Sequence, residues 1–134
     1  MSFAYPLTGL VTVFALIVYL GMTVMVGRAR KRHNIPAPQT SGPDDFLRVI
    51  RVHENTVEGL VLFLPALWLF ALTVQDGWAA LVGVFYPIGR IVYARGYYAA
   101  AEKRELGFLI GAVSSMILLA GSLVALLMDV FSAA

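Results

Sequence analysis

The sequence predicts an all-α integral membrane protein, a bundle of four transmembrane helices. Three observations predict it: four long stretches with little charge, polar connectors between them, and basic residues that all fall on the side of alternate connectors. Of the 134 residues, 60% are hydrophobic and 13% are charged, against about 25% charged in soluble domains. A chain this short builds at most one small core, so much of its apolar surface has to face lipid. Cysteine is absent, which excludes disulfides, thiolate metal sites and a cysteine nucleophile. The two histidines, His33 and His53, show no H-x-x-x-H spacing, and no metal is expected.

The whole chain, 1–134, reads as one four-helix membrane domain. The first helix covers about 6–30. Residues 6–27 carry no charge, and roughly 20 such residues cross a bilayer. The opening MSFAYP lacks the basic flank of a signal peptide. Arg28, Arg30, Lys31 and Arg32 then stop the segment. Residues 33–43, rich in Pro, Ser and Gly, form a connector. The second helix covers about 44–74. Asp44 and Asp45 suit the positive end of its dipole, residues 59–74 carry no charge, and Pro65 is a candidate kink. Gln75, Asp76 and Gly77 read as a tight turn. The third helix, about 78–100, starts at the interfacial Trp78 and is interrupted by Arg90 and Arg95. A charged turn at 102–105 leads into the fourth helix, about 104–130. Residues 106–128 carry no charge there, and Gly107, Gly111 and Gly121 suit close helix packing.

In a four-span arrangement every lysine and arginine falls on the side of the first connector and the charged turn. Asp76, Asp129 and both termini fall on the other. The positive-inside rule then predicts both termini outside and the basic loops in the cytoplasm.

Polar residues enter the helices in two stripes. Arg51, Asn55 and Glu58, at i, i+4 and i+7, share a face of the second helix, with Arg48 one turn before. Tyr86, Arg90, Tyr93 and Tyr97 share a face of the third, and Arg104 continues it if that helix extends. Ionisable groups at membrane depth need partners or a wet cavity. Two readings stay open: a structural ion-pair network between the stripes, or a cytoplasm-facing pocket for a small anionic ligand. Arginine suits carboxylates because its fork binds them in pairs of hydrogen bonds. No phosphate-binding loop is present, and the basic residues lack the aromatic interleaving of a nucleic-acid binder.

The stretch FLRVIRVHENTVE (46–58), followed by LFLPALW (62–68), resembles the signature of the MAPEG family, membrane-associated proteins in eicosanoid and glutathione metabolism. YPIGRIVYARGY (86–97) is similar to that family's third-helix motif, and TSGP (40–43) also fits. The resemblance covers nearly the whole chain. It implies a homotrimer of four-helix protomers, with glutathione as co-substrate between neighbouring subunits near the cytoplasmic face. Arg51, Asn55 and Glu58 match glutathione-binding positions, Arg48 an adjacent basic position, and Tyr93 and Tyr97 tyrosines that contact the tripeptide. Arg30 and His53 match positions supplied by the neighbouring subunit. Arg104 matches the arginine that stabilises the thiolate, and Arg90 a further arginine of the third helix. Gly59 departs from the pattern, since leukotriene-synthase-like members carry a tyrosine there.

The implied activity is a membrane-bound glutathione transferase acting on hydrophobic electrophiles, with glutathione-dependent reduction of lipid hydroperoxides as a second output. The expected location is a bacterial inner membrane, with the active site on the cytoplasmic side. The alternative is a non-enzymatic lipid-binding or scaffold protein of the same fold, because the family includes a member without catalysis of its own.

Overall fold

The computed structural model describes residues 3–133. Among them the fold is all helical: α1 (Pro6–His33), α2 (Asp44–Thr73), α3 (Asp76–Gly83), α4 (Phe85–Ala99), a 3-10 turn (Ala101–Arg104) and α5 (Glu105–Ser132). α3 and α4 together make one span, so four helical segments are long and apolar enough to cross a membrane. Large apolar side chains such as Leu10, Ile17, Val61, Leu72, Met116 and Phe131 point outward, as lipid-facing residues must.

Each helix end has its own chemistry. Pro6 suits the first turn of α1, where its missing N–H costs nothing. Asp76, expected in a tight turn, sits instead in the first turn of α3 and caps α1 from across the bundle. Its carboxylate accepts from the backbone N–H of Leu7 at 3.1 Å and of Thr8 at 2.8 Å. α1 ends at Asn34, which takes the left-handed conformation (φ 54°) that Asn tolerates. The Ile35 N–H then returns to the Arg30 carbonyl at 3.0 Å.

The third span is interrupted at Val84 rather than at Arg90 or Arg95, both of which lie within α4. Pro87 explains the position: it cannot donate to the Gly83 carbonyl, and its ring crowds that group. Nearby, the Ser114 hydroxyl donates to the Val82 carbonyl at 2.8 Å, so α5 satisfies backbone next to the break. Pro65, by contrast, lies within an unbroken α2.

α4 and α5 approach through glycine. A Cβ on Gly89 would come within 2.8 Å of the Gly111 nitrogen, and one on Gly107 would overlap the Tyr93 backbone. The core between the spans is apolar and aromatic, with Phe63, Leu67 and Leu118 fully enclosed.

Candidate functional site

The charged end of the bundle carries a cleft of about 700 Å³, lined by Arg51, Asn55, Tyr93, Arg104 and, on its apolar side, Leu106 and Phe108. Its polar residues, Glu105 at the start of α5 among them, come from four elements. The helical spacing that puts Arg51 and Asn55 on one face of α2 turns that face toward the end of α4. Tyr93 comes from α4. Arg104 arrives through the charged turn, not by an extension of that helix. The chain leaves α4 at Ala99, passes through an extended Ala100 (φ −163°, ψ 143°) and turns through the 3-10 segment. Arg104 is thereby folded back over α4. Its Nη1 donates to the Tyr97 hydroxyl oxygen at 3.0 Å, and its guanidinium lies 5.2 Å from the centre of that ring.

Glu58 joins the cleft through its neighbours. It accepts from Arg51 Nη1 at 3.3 Å and from Asn55 Nδ2 at 3.4 Å. Arg51 also lies 3.5 Å from Glu54. These arginine–carboxylate pairs stay within α2, and among the described residues no ion pair links α2 to α4. The inter-helix ion-pair network is therefore not what joins the stripes. The link is Arg90, 3% exposed, which donates to Asn55 Oδ1 at 3.0 Å and to Thr56 Oγ1 at 2.9 and 3.2 Å. It lies behind the cleft, with the Tyr93 ring 3.9 Å away.

The remaining expected residues sit elsewhere. Arg48 is half-buried one turn before Arg51, and its Nε is buried with no hydrogen-bond partner. Arg30 serves the connector, donating to the Gln39 carbonyl at 2.6 Å and the Pro36 carbonyl at 3.4 Å and lying over the Phe46 ring. His53 faces α1, stacked on Tyr19 at 4.9 Å with Nε2 3.1 Å from the Thr23 hydroxyl. None of the three lines the cleft.

Sequence reasoning missed Thr56, 1% exposed, whose hydroxyl donates to the Val52 carbonyl at 2.7 Å while accepting from Arg90. A hydroxyl beside Asn55 on an otherwise apolar face was its only signal. A smaller cavity of about 220 Å³ adjoins the cleft through Asn55 and Phe108 and is bounded by Gly59, Leu62 and Arg90. Two arginines, an amide, a phenol and the Glu105 carboxylate among the polar lining, with apolar side chains on the other wall, suit a small ligand that carries both charges, mainly negative, reacting with an apolar partner.

Residues 8–124 match the MAPEG family. The chain is 49% identical over 118 residues to an uncharacterized protein of Synechocystis, covering 88% of this chain and 86% of that one. It is 40% identical over 83 residues to mouse microsomal glutathione S-transferase 2, covering 62% of this chain and 56% of the transferase. It is 36% identical over 94 residues to rat leukotriene C4 synthase, covering 70% of this chain and 63% of the synthase. The match therefore spans less than two thirds of the length of these last two relatives. With a match across this much of its length, the chain belongs to the MAPEG family.

Proposed function

We propose that this membrane protein is a glutathione transferase that joins the glutathione thiolate to hydrophobic electrophiles, and that the same site reduces lipid hydroperoxides. The observation that carries the reading is the convergence of Arg51, Asn55, Tyr93 and Arg104 on one cleft. Its volume falls within the roughly 300–1,000 Å³ usual for small-molecule sites. Membership of a family that includes a microsomal glutathione transferase supports it.

Glutathione carries two carboxylates, an ammonium and a thiol. Arg51 neutralises a carboxylate through forked hydrogen bonds, Arg48 adds positive charge one turn nearer the start of α2, and Glu58 receives the ammonium. Arg104 stands beside the sulfur and favours the thiolate by opposite charge. The Tyr97 oxygen already accepts from Arg104, so its own O–H is left to donate to sulfur. A thiol lowered by about 2 pKa units requires about 2.7 kcal/mol of differential stabilisation, within reach of one guanidinium and one phenol at a membrane edge. The thiolate then attacks the electrophile. With a hydroperoxide, two glutathiones yield the alcohol, water and glutathione disulfide. The apolar partner enters from lipid past Leu106 and Phe108.

The protein acts as a homotrimer, with Arg30 and His53 serving a neighbouring protomer's cleft. It lies in a bacterial inner membrane, with the cleft cytoplasmic and both termini outside. Calorimetry and thiolate ultraviolet absorbance on the detergent-solubilised protein test the chemistry. Saturable glutathione binding with a thiolate signal near neutral pH, lost in Arg104→Ala, is the expected result. No binding at millimolar glutathione in folded protein would instead favour a lipid-binding or scaffold role.

A further inference from the structure

Arg90 lies nine residues before the end of α4, about 13 Å along the helix. It is 3% exposed, and none of the ion pairs among the described residues includes it. A guanidinium at that depth is expensive to keep, and its contacts indicate what it does there. The chain of orientation starts at the Val52 carbonyl, which accepts the Thr56 hydroxyl proton at 2.7 Å. With that proton committed, the Thr56 oxygen has only lone pairs left, and both Nε and Nη2 of Arg90 donate to it. Arg90 Nη2 also donates to Asn55 Oδ1 at 3.0 Å. An asparagine amide alone can turn either way, but here the reverse orientation would set N–H against N–H. Asn55 Nδ2 is left pointing outward, where it already donates to Glu58 at 3.4 Å and keeps a second N–H in a residue that lines the cleft.

We propose that Thr56 and Arg90 are positioning residues that fix the polarity of Asn55, so that this side chain meets the ligand only as a donor. A tripeptide with two carboxylates needs donors, and an amide free to flip would offer its oxygen to an anion part of the time. This inference rests on the glutathione reading. Thr56 touches neither the cleft nor the ligand, and acts through Arg90 and Asn55.

The test is glutathione calorimetry on the full chain in detergent, with the wild type as the first arm. Thr56→Val removes the acceptor at nearly constant volume and is expected to weaken binding about tenfold, the effect of roughly one hydrogen bond. Thr56→Ser restores the hydroxyl and binds as the wild type does. Because the effect passes through Asn55, Thr56→Val adds no further loss in an Asn55→Ala background. Asn55→Asp guards against misfolding: it keeps an acceptor for Arg90 but presents no N–H to the cleft and adds a negative charge there, so the protein stays folded and loses at least as much affinity as Asn55→Ala does. Unchanged binding in Thr56→Val, losses that add in the double variant, or wild-type affinity in Asn55→Asp would each overturn the proposal while leaving the glutathione reading intact. Failure of the wild type to bind overturns both.

Discussion

A Cβ on Gly59 would overlap the Tyr86 hydroxyl, which comes from another helix. That hydroxyl is not free to move aside. It donates to the Thr56 carbonyl at 3.1 Å, and its ring stacks on Phe63 with centroids 4.1 Å apart. Glycine at 59 is thus a packing requirement, and the tyrosine that the resemblance places there in leukotriene-synthase-like members has no room here. Gly59→Ala is expected to destabilise the protein by about 1–3 kcal/mol through overpacking. Adding Tyr86→Phe removes the obstructing oxygen and should recover part of that loss, because the nearest remaining ring carbons would lie 3.3 and 3.4 Å from the new methyl. Thermal unfolding of the single and double variants in detergent reads both effects, and a double variant less stable than Gly59→Ala would refute the account. Reading the sequence alone, position 59 registers as a departure from a motif but not as a consequence of Tyr86. Spacing within one helix is visible in a sequence, and that made the Arg51–Asn55–Glu58 face legible. Which side chain from α4 meets position 59 or Thr56 depends on how two helices are rotated against each other, and no local pattern records that.

At the scale of elements, the glycines of α5 divide into two kinds. Gly107 meets the α4 backbone at Tyr93, a residue of the cleft, whereas Gly121 meets the Phe70 ring of α2, a side chain that does not line it. Gly107→Ala is expected to separate α4 from α5, lowering both stability and glutathione affinity. Gly121→Ala should lower stability with affinity unchanged, since a ring can shift where backbone cannot. Parallel melting curves and binding isotherms check the contrast, and equal binding losses in the two variants would contradict it. The four spans themselves were legible because uncharged length is a one-dimensional property. The break at Val84 was not foreseen, although Pro87 states it plainly: the arginines drew attention as the costlier residues, yet Arg90 finds partners inside the bundle, Arg95 is exposed, and both leave α4 intact. The turn before α5 was legible in its run of charges, but its start at an extended Ala100 was not, since a residue between alanines carries no turn signal. Without that turn Arg104 would continue along α4 instead of returning to Tyr97.

For the molecule as a whole, charge and architecture agree on an orientation. Arg28, Arg30, Lys31 and Arg32 occupy the last turns of α1, Arg48 and Arg51 the first turns of α2, and Lys103 and Arg104 the turn before α5, all at one end of the bundle. The opposite end has Asp76 capping α1 and Asp129 near the close of α5. Carrying eight arginine and lysine side chains of these connectors through hydrocarbon is far less favourable than carrying two carboxylates, because the positive residues set orientation in short loops. The basic end, and the cleft with it, should therefore face the cytoplasm, where an anionic tripeptide is met in solution and the apolar partner in lipid. The absence of cysteine makes this directly measurable. Ser41→Cys places a single thiol in the exposed connector and Ser132→Cys one at the exposed end of α5. In intact bacterial spheroplasts a membrane-impermeant maleimide should label the Ser132→Cys protein and leave Ser41→Cys unmodified until the membrane is opened. The reverse pattern would invert the orientation and set the cleft on the outer face, away from a cytoplasmic glutathione supply.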